Sequence, residues 1–477
     1  MAADPAMHQT RETSRTERMR RQGHAAAAVA IPAMAGGVYA LVCAYLATVD
    51  PAGALIAILA VLLLCGAVYG GLLFVTRVAV AVLPWMLVFD SLLPPLLRTF
   101  TAAAAALLLI ALVWPVTIEN GVFSVGLGLF VGALLLNIGR AHTGVQFIQA
   151  AKYAIFPVMA CVVMSRQART QLASLVGPVM VSTALAMLAH LAVVTAGLGD
   201  TGTFYHAGEK LGFAFESPHE LALMAVLLAA AGLLYIRKGV LRMCFLLLGA
   251  LPALLTGVRS ALLAIAALGV VFIFQSRRRT RELAILGGAV VVVLATGALD
   301  PVIQRFAHSQ QIGEFNSFAT AGSGRGKIWS TALKHYADAG PGGWLFGTGL
   351  HSIETFELED NRTALVGHSD VIAIAVQCGL FAFIGWCLMW WAMLRSGLSW
   401  LVLVPFIAYG VVNGAIEGVA NVVVGLTLAI GLVAAAKTSE SNAIVGRSSN
   451  CSGRSQQRLM PAPAAVKARS KACPRSI

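Results

Sequence analysis

From Ala25 to Ala436 the chain alternates long apolar runs with short polar breaks, and most runs are close to the roughly 20 residues a helix needs to cross a bilayer. The pattern predicts spans over 25–47, 52–75, 78–97, 100–117, 121–139, 144–164, 171–197, 219–236, 240–257, 260–275, 283–299, 369–394, 398–416 and 418–436, about fourteen in all. Asp90, Pro94 and Pro95 interrupt the third run, and Glu119 and Asn120 separate two short ones. A re-entrant hairpin in place of one pair of spans would leave about twelve. Continuous apolar runs broken by arginines and Gly/Pro turns mean helices rather than a strand barrel, so the expected fold is an all-α, polytopic transmembrane bundle.

One long polar stretch breaks this rhythm, from Asp300 to His368. The expected organisation is therefore a tail at 1–24, transmembrane helices over 25–299, a loop at 300–368 carrying the candidate active site, further transmembrane helices over 369–436, and a basic tail at 437–477. Within the loop, SGRGKIWSTALKHYADAGPGG predicts a short amphipathic helix with Trp329, Leu333 and Tyr336 on one face and a stop at Pro341 to Gly343.

Composition fits the pattern: 58% hydrophobic and 12% charged residues with mean hydropathy +0.81 exclude a soluble domain of this length. The net charge of +13 adds orientation. Residues 1–24 hold five arginines against three acids, the tail from Lys437 holds eight Lys/Arg against Glu440, and the long loop holds five Lys/Arg against seven Asp/Glu. By the positive-inside rule both tails are expected in the cytoplasm and the loop outside. The first apolar run follows a basic segment but lacks a clear cleavage site, and is expected to stay as a first helix. Neither tail has the interleaved aromatics of a nucleic-acid platform, so the partner expected is the lipid bilayer and no nucleic acid. Eight cysteines, none in the loop, give neither a disulfide framework nor a zinc spacing.

Arg98, Arg140 and Arg259 break the inside rule, each at an expected outer mouth. A cation there either snorkels to water or serves a ligand; Arg98 suits snorkelling, and for Arg140 both readings stand. SPHE at Ser217 to Glu220 is a capping box with Pro218 in the first turn, and His219 is alternatively a substrate contact. The start of the loop helix gathers Arg325 and Lys327 beside free amides, which suits phosphate, or is an ordinary solvated face. His368 precedes Ser369 and Asp370 at the head of a span. Either Ser369 or Asp370 caps that helix, while a neutral His368 imidazole could take a proton from a hydroxyl.

Taken in order, GFAFESPHELA, TGVRSALLAI, SGRGKIW, FGTGLHS and GHSDVIAIAVQCGLFAF resemble the bacterial O-antigen ligase and polymerase superfamily over about residues 140 to 436. The resemblance implies a membrane glycosyltransferase that moves a glycan from a polyprenyl-diphosphate donor to a sugar hydroxyl on a glycan or lipid-linked acceptor, with no metal, cofactor or nucleotide sugar. It implies that Arg259, Arg325 and His368 are catalytic; from their placement beside these, Arg140, His219, Lys327 and Asp370 are the expected substrate contacts. Val258 stands where the family often has Ser, and Ser369 where it often has Asn. The H-S-D pattern and the extra early spans lean toward an exopolysaccharide or O-antigen polymerase over a lipid A-core ligase. The rival of another class is a transporter of a lipid-linked or small polar solute, which Asp90 and Glu417 keep in view and which would show internal repeats and broken helices at mid-membrane. A non-catalytic glycan-binding scaffold is the third reading.

Overall fold

The computed structural model describes residues 71–88, 95–165, 167–195, 218–236, 239–255, 258–275, 279–297, 325–355, 369–416 and 419–431, with isolated positions between 300 and 310. The expectations for both tails, the first apolar runs, Ser217, Ser323 and His368 fall outside these residues. No strand occurs among them, and the protein is an all-α helical membrane protein.

In chain order the helices are α1 (Gly71–Val88), α2 (Pro95–Leu112), α3 (Gly121–Gly139), α4 (Gly144–Met164), α5 (Val176–Thr195), α6 (Pro218–Tyr235), α7 (Gly239–Leu255), α8 (Arg259–Gln275), α9 (Arg279–Ala295), α10 (Arg325–Asp338) and α11 (Gly340–Phe346). Then follow α12 (Asp370–Arg395), α13 (Trp400–Asn413) and α14 (Val419–Gly431). Among the described residues four helices are long and apolar enough to cross a membrane, and eight shorter apolar helices accompany them. From α3 onward the helices match the expected spans closely. The early register differs: spans expected at 52–75 and 78–97 were to meet at Arg77, but α1 runs through it. Arginine is a good helix former and nothing between Thr76 and Ala79 breaks a helix, so the boundary moves to the proline pair, where α2 begins at Pro95.

The centre of the bundle is α6. Every residue from Leu221 to Ala231 has zero exposure, as a helix apolar on all sides requires. It packs on α7, α8 and α13, while α12 lies along α3. The α3/α12 crossing is close because both helices carry glycine at the contact: a Cβ on Gly126 would fall 2.8 Å from the Gly385 carbonyl, and one on Gly385 2.5 Å from the Gly126 carbonyl. Small residues give transmembrane helices this approach.

The amphipathic helix in the loop forms as α10, which contains Trp329, Leu333 and Tyr336. Gly326 and Ala332 are buried and Ile328 and Tyr336 partly so, whereas Leu333 is 43% exposed. Pro341 to Gly343 do not form a stop. The break falls at Gly340 (φ 70), and Pro341 sits in the first turn of α11, the position at which proline's missing N–H is not needed. Tyr336 Oη donates to the Trp344 carbonyl and Trp344 Nε1 to the Ala337 carbonyl at 3.0 Å, clasping the two short helices together.

Candidate functional site

The starts of α6, α8, α10 and α12 meet at one end of the bundle, around the end of α13. The first residue of α10, Arg325, is half-buried and donates through Nη1 to the Val412 carbonyl at 3.2 Å. At the head of α12, Ser369 Oγ donates to the Val411 carbonyl at 2.7 Å and accepts from Ile372 N, making it the N-cap. The last carbonyls of a helix have no partner within it, so α13 is terminated by side chains from two of the sequence motifs.

Asp370 lies deeper, at 3% exposure. Its carboxylate accepts from Ala415 N at 2.9 and 3.0 Å and from Ile416 N at 3.0 Å. A buried carboxylate needs such partners, and here they come from the turn between α13 and α14. From α13, Tyr409, almost wholly buried, donates its hydroxyl to the His219 carbonyl, and Asn413 Nδ2 donates to Tyr409 Oη at 2.7 Å. Ser260 adjoins the same hydroxyl, with Arg325 and Glu220 within electrostatic range. Asn421 Nδ2 donates to the Glu220 carbonyl at 3.2 Å.

The geometry therefore brings together Arg325, Asp370, the His219–Glu220 helix start and Ser260, whose chain neighbour Arg259 is half-buried. Lys327 is half-buried in the first turn of α10. His368 lies outside the described residues, one residue before the fixed Ser369. Arg140 is exposed at the end of α3, and no contact among the described residues joins it to this cluster. Tyr409, Asn413, Asn421 and Gln377 were not singled out from the sequence. The signal available for them was an amide or hydroxyl inside an apolar run, as in VVNGAIEGVANVVV (Val411 to Val424), where polar groups are rarely incidental.

The FGTGLHS motif is placed by α12. Ile374–Cys378 forms a π-turn, and Gly379, at φ 86 and ψ 177, ends the hydrogen-bond ladder there. The freed carbonyls are taken by the loop: Val376 O accepts from Thr348 N at 2.8 Å and Oγ1 at 3.0 Å, and Gln377 O from Gly349 N at 3.2 Å. A Cβ on Gly347 would fall 2.1 Å from Gln377 O. These two glycine motifs are thus two sides of one backbone contact, and π-turns of this kind mark functional regions. On the opposite flank Asn137 Nδ2 donates to the Phe346 carbonyl at 2.7 Å.

A multi-pass helical membrane protein with a polar, arginine-bearing site at one end of its bundle is the class these features define. Residues 243–387 match the family model described as O-antigen ligase, which supports the ligase/polymerase resemblance. The matched stretch contains Arg259, Arg325, Lys327 and His368, with Asp370 and the FGTG loop; it excludes Arg140, His219 and Tyr409. No curated protein matches the chain.

Proposed function

We propose that this protein transfers a glycan from a polyprenyl-diphosphate carrier to a sugar hydroxyl at the outer face of a bacterial inner membrane, with both termini in the cytoplasm. The observation that carries the reading is the convergence of Arg325, the Arg259–Ser260 helix start and the Ser369–Asp370 helix start on the end of α13; all three starts lie in the stretch that matches the O-antigen ligase family model. Arg259 and Arg325 meet the diphosphate, whose charge must be matched as it leaves. Lys327 adds a point charge, and Arg140 and His219 contact the glycan. Asp370 spends its oxygens on backbone amides and acts by holding the head of α12. The acceptor oxygen attacks the anomeric carbon while the carbon–oxygen bond to the diphosphate breaks. Its electron pair leaves with the polyprenyl diphosphate, and the hydroxyl proton passes to His368. The activation of the donor is already stored in the diphosphate, so no metal, cofactor or nucleotide sugar enters. A polymerase of exopolysaccharide or O-antigen is favoured over a lipid A-core ligase by the H-S-D pattern and the early spans.

Deleting the gene and resolving surface glycans by electrophoresis tests this. Loss of long chains means polymerase and loss of lipid-attached glycan means ligase; unchanged glycans overturn the reading. His368→Ala should reproduce the deletion at normal protein level. Single cysteines at Ser309 and Ser441 test the topology, the first labelled by an impermeant maleimide in spheroplasts and the second not.

A further inference from the structure

The loop after α11 carries a second polar cluster, made of residues that no step above uses. His351 stands at φ 65, a conformation that few residues other than glycine adopt, and its backbone N–H donates to Gln377 Oε1 at 2.8 Å. In this pose His351 Nδ1 lies 3.5 Å from Glu354 Oε2, the two side chains being 32% and 12% exposed. Lys152 of α4 is within electrostatic range of the same carboxylate, yet burial outweighs it and raises the Glu354 carboxyl above its ordinary value.

Two atoms of this cluster have no hydrogen-bond partner among the described residues: the acceptor Glu354 Oε2 and the donor Gln377 Nε2. Gln377 has zero exposure, and its other amide atom is committed to His351. On the other flank of the loop, Asn137 Oδ1 is buried without a partner as well. Buried polar groups are normally satisfied, and here an unmet donor and unmet acceptors gather around one rigid loop.

We infer that His351, Glu354 and Gln377 form a subsite that binds a hydroxyl-bearing sugar unit, built separately from the Arg325 cluster. A sugar hydroxyl both donates and accepts, so the hydroxyls of a sugar unit match both the acceptor Glu354 Oε2 and the donor Gln377 Nε2. A diphosphate does not suit the place, since the carboxylate would face it and Lys152 only balances that charge. A metal ion does not suit it either, because the amide donor turns its protons toward a cation. The division of labour follows charge: arginines for the diphosphate, a near-neutral donor and acceptor set for the sugar. The loop is held by α12 before any ligand arrives, so little ordering is needed on binding. This inference rests on the proposed transferase reading for the source of its ligand.

The test uses the full-length protein in nanodiscs and two probes, undecaprenyl diphosphate and an oligosaccharide released by mild acid from the host's own surface polysaccharide. Glu354→Gln removes the charged acceptor, and His351→Asn removes the imidazole while tolerating the positive φ. Each should weaken oligosaccharide binding about tenfold and leave undecaprenyl diphosphate binding unchanged, with Arg325→Ala giving the reverse. Oligosaccharide binding of wild-type strength in both variants, with melting temperatures no lower than wild type, overturns the subsite. Should Glu354→Gln not fold, His351→Asn decides. Wild-type protein that binds neither probe overturns the transferase reading itself, a result distinct from a wild-type protein that binds both and variants that keep both.

Discussion

Asp370 grips Ala415: both of its carboxylate oxygens accept that one backbone N–H, at 2.9 and 3.0 Å, and Oδ1 takes the next amide, Ile416 N, at 3.0 Å. The contact ties the head of α12 to the turn between α13 and α14 across 45 residues of sequence. Gly410 leaves room for it, since a Cβ there would fall 2.3 Å from Asp370 Oδ2. An isosteric asparagine in its place keeps the volume but loses the charge and turns an amide donor toward amide donors. Hydrogen bonds to a charged group are worth roughly 1.5 to 3 kcal/mol. Asp370→Asn should therefore lower the melting temperature in detergent and abolish transfer, and Gly410→Ala should act in the same direction by displacing the carboxylate. Native melting with full transfer in both variants would show that the grip is incidental.

The contact between the FGTG loop and α12 predicts an order among glycine substitutions. Gly347 (φ 86, ψ 166) and Gly379 (φ 86, ψ 177) occupy backbone conformations open essentially to glycine alone, costing roughly 1 to 3 kcal/mol for another residue. A Cβ at either would also strike the partner backbone, at 2.1 Å and 2.4 Å respectively. Gly349 (φ 110) shares the backbone demand, but a Cβ there meets nothing within 4 Å. Membrane levels by immunoblot should fall sharply for Gly347→Ala and Gly379→Ala and only moderately for Gly349→Ala. Equal levels for all three would remove the packing argument.

Burial raises the Glu354 carboxyl, with its own backbone amide and Lys152 pulling the other way. A carboxyl raised in the folded state binds its proton more tightly there than in the unfolded chain. Folding is therefore unpenalised below the ordinary carboxylate range, and the cost grows as pH rises through the raised value. The cost is complete only above that raised value. Glu354→Gln should consequently melt higher than the native protein at pH 7, with the gap closing as the pH falls to about 4. A gap that widens in acid would mean that Lys152 or His351 dominates the carboxylate instead.

Much of this fold was legible because a bilayer imposes one length and one composition on every span. The helices from α3 onward sit where the apolar runs put them, and Pro218 and Ser369 start helices as their residue types suggest. The misplacement at α1 came from treating Arg77 as a boundary, when an arginine breaks hydropathy without breaking a helix. Spacing along α10 did not disclose that the small Ala332 is wholly buried while Leu333 stays 43% exposed. Arg325, Ser369 and Asp370 were visible as polar groups at span ends. Tyr409 and Asn413 were not, since a tyrosine or an asparagine within an apolar run says nothing of the His219 carbonyl contributed by α6. Nor does spacing disclose that FGTG and QCG touch, because that contact depends on a π-turn.

The strictest prediction concerns Arg259 and Arg325. Arg325 already commits one N–H to the Val412 carbonyl at 3.2 Å, which fixes the plane of its guanidinium. A planar fork so held can meet two phosphate oxygens at once, whereas lysine offers a point charge on a flexible stem. Arg325→Lys should lose most transfer activity even though the charge remains, and Arg259→Lys should do the same from the start of α8. If both act on one diphosphate, the double variant is hardly slower than either single one, because groups that work as a unit are not additive. Arg98→Lys, assigned to snorkelling in α2, should keep activity and serves as the control. The measurement is turnover of purified protein on a polyprenyl-diphosphate glycan, with and without a chelator. Native turnover by Arg325→Lys and Arg259→Lys would reduce the arginines to bulk charge, and multiplied losses in the double variant would place them on separate groups. Loss of native turnover on chelation would turn the reaction from an arginine clamp to a metal.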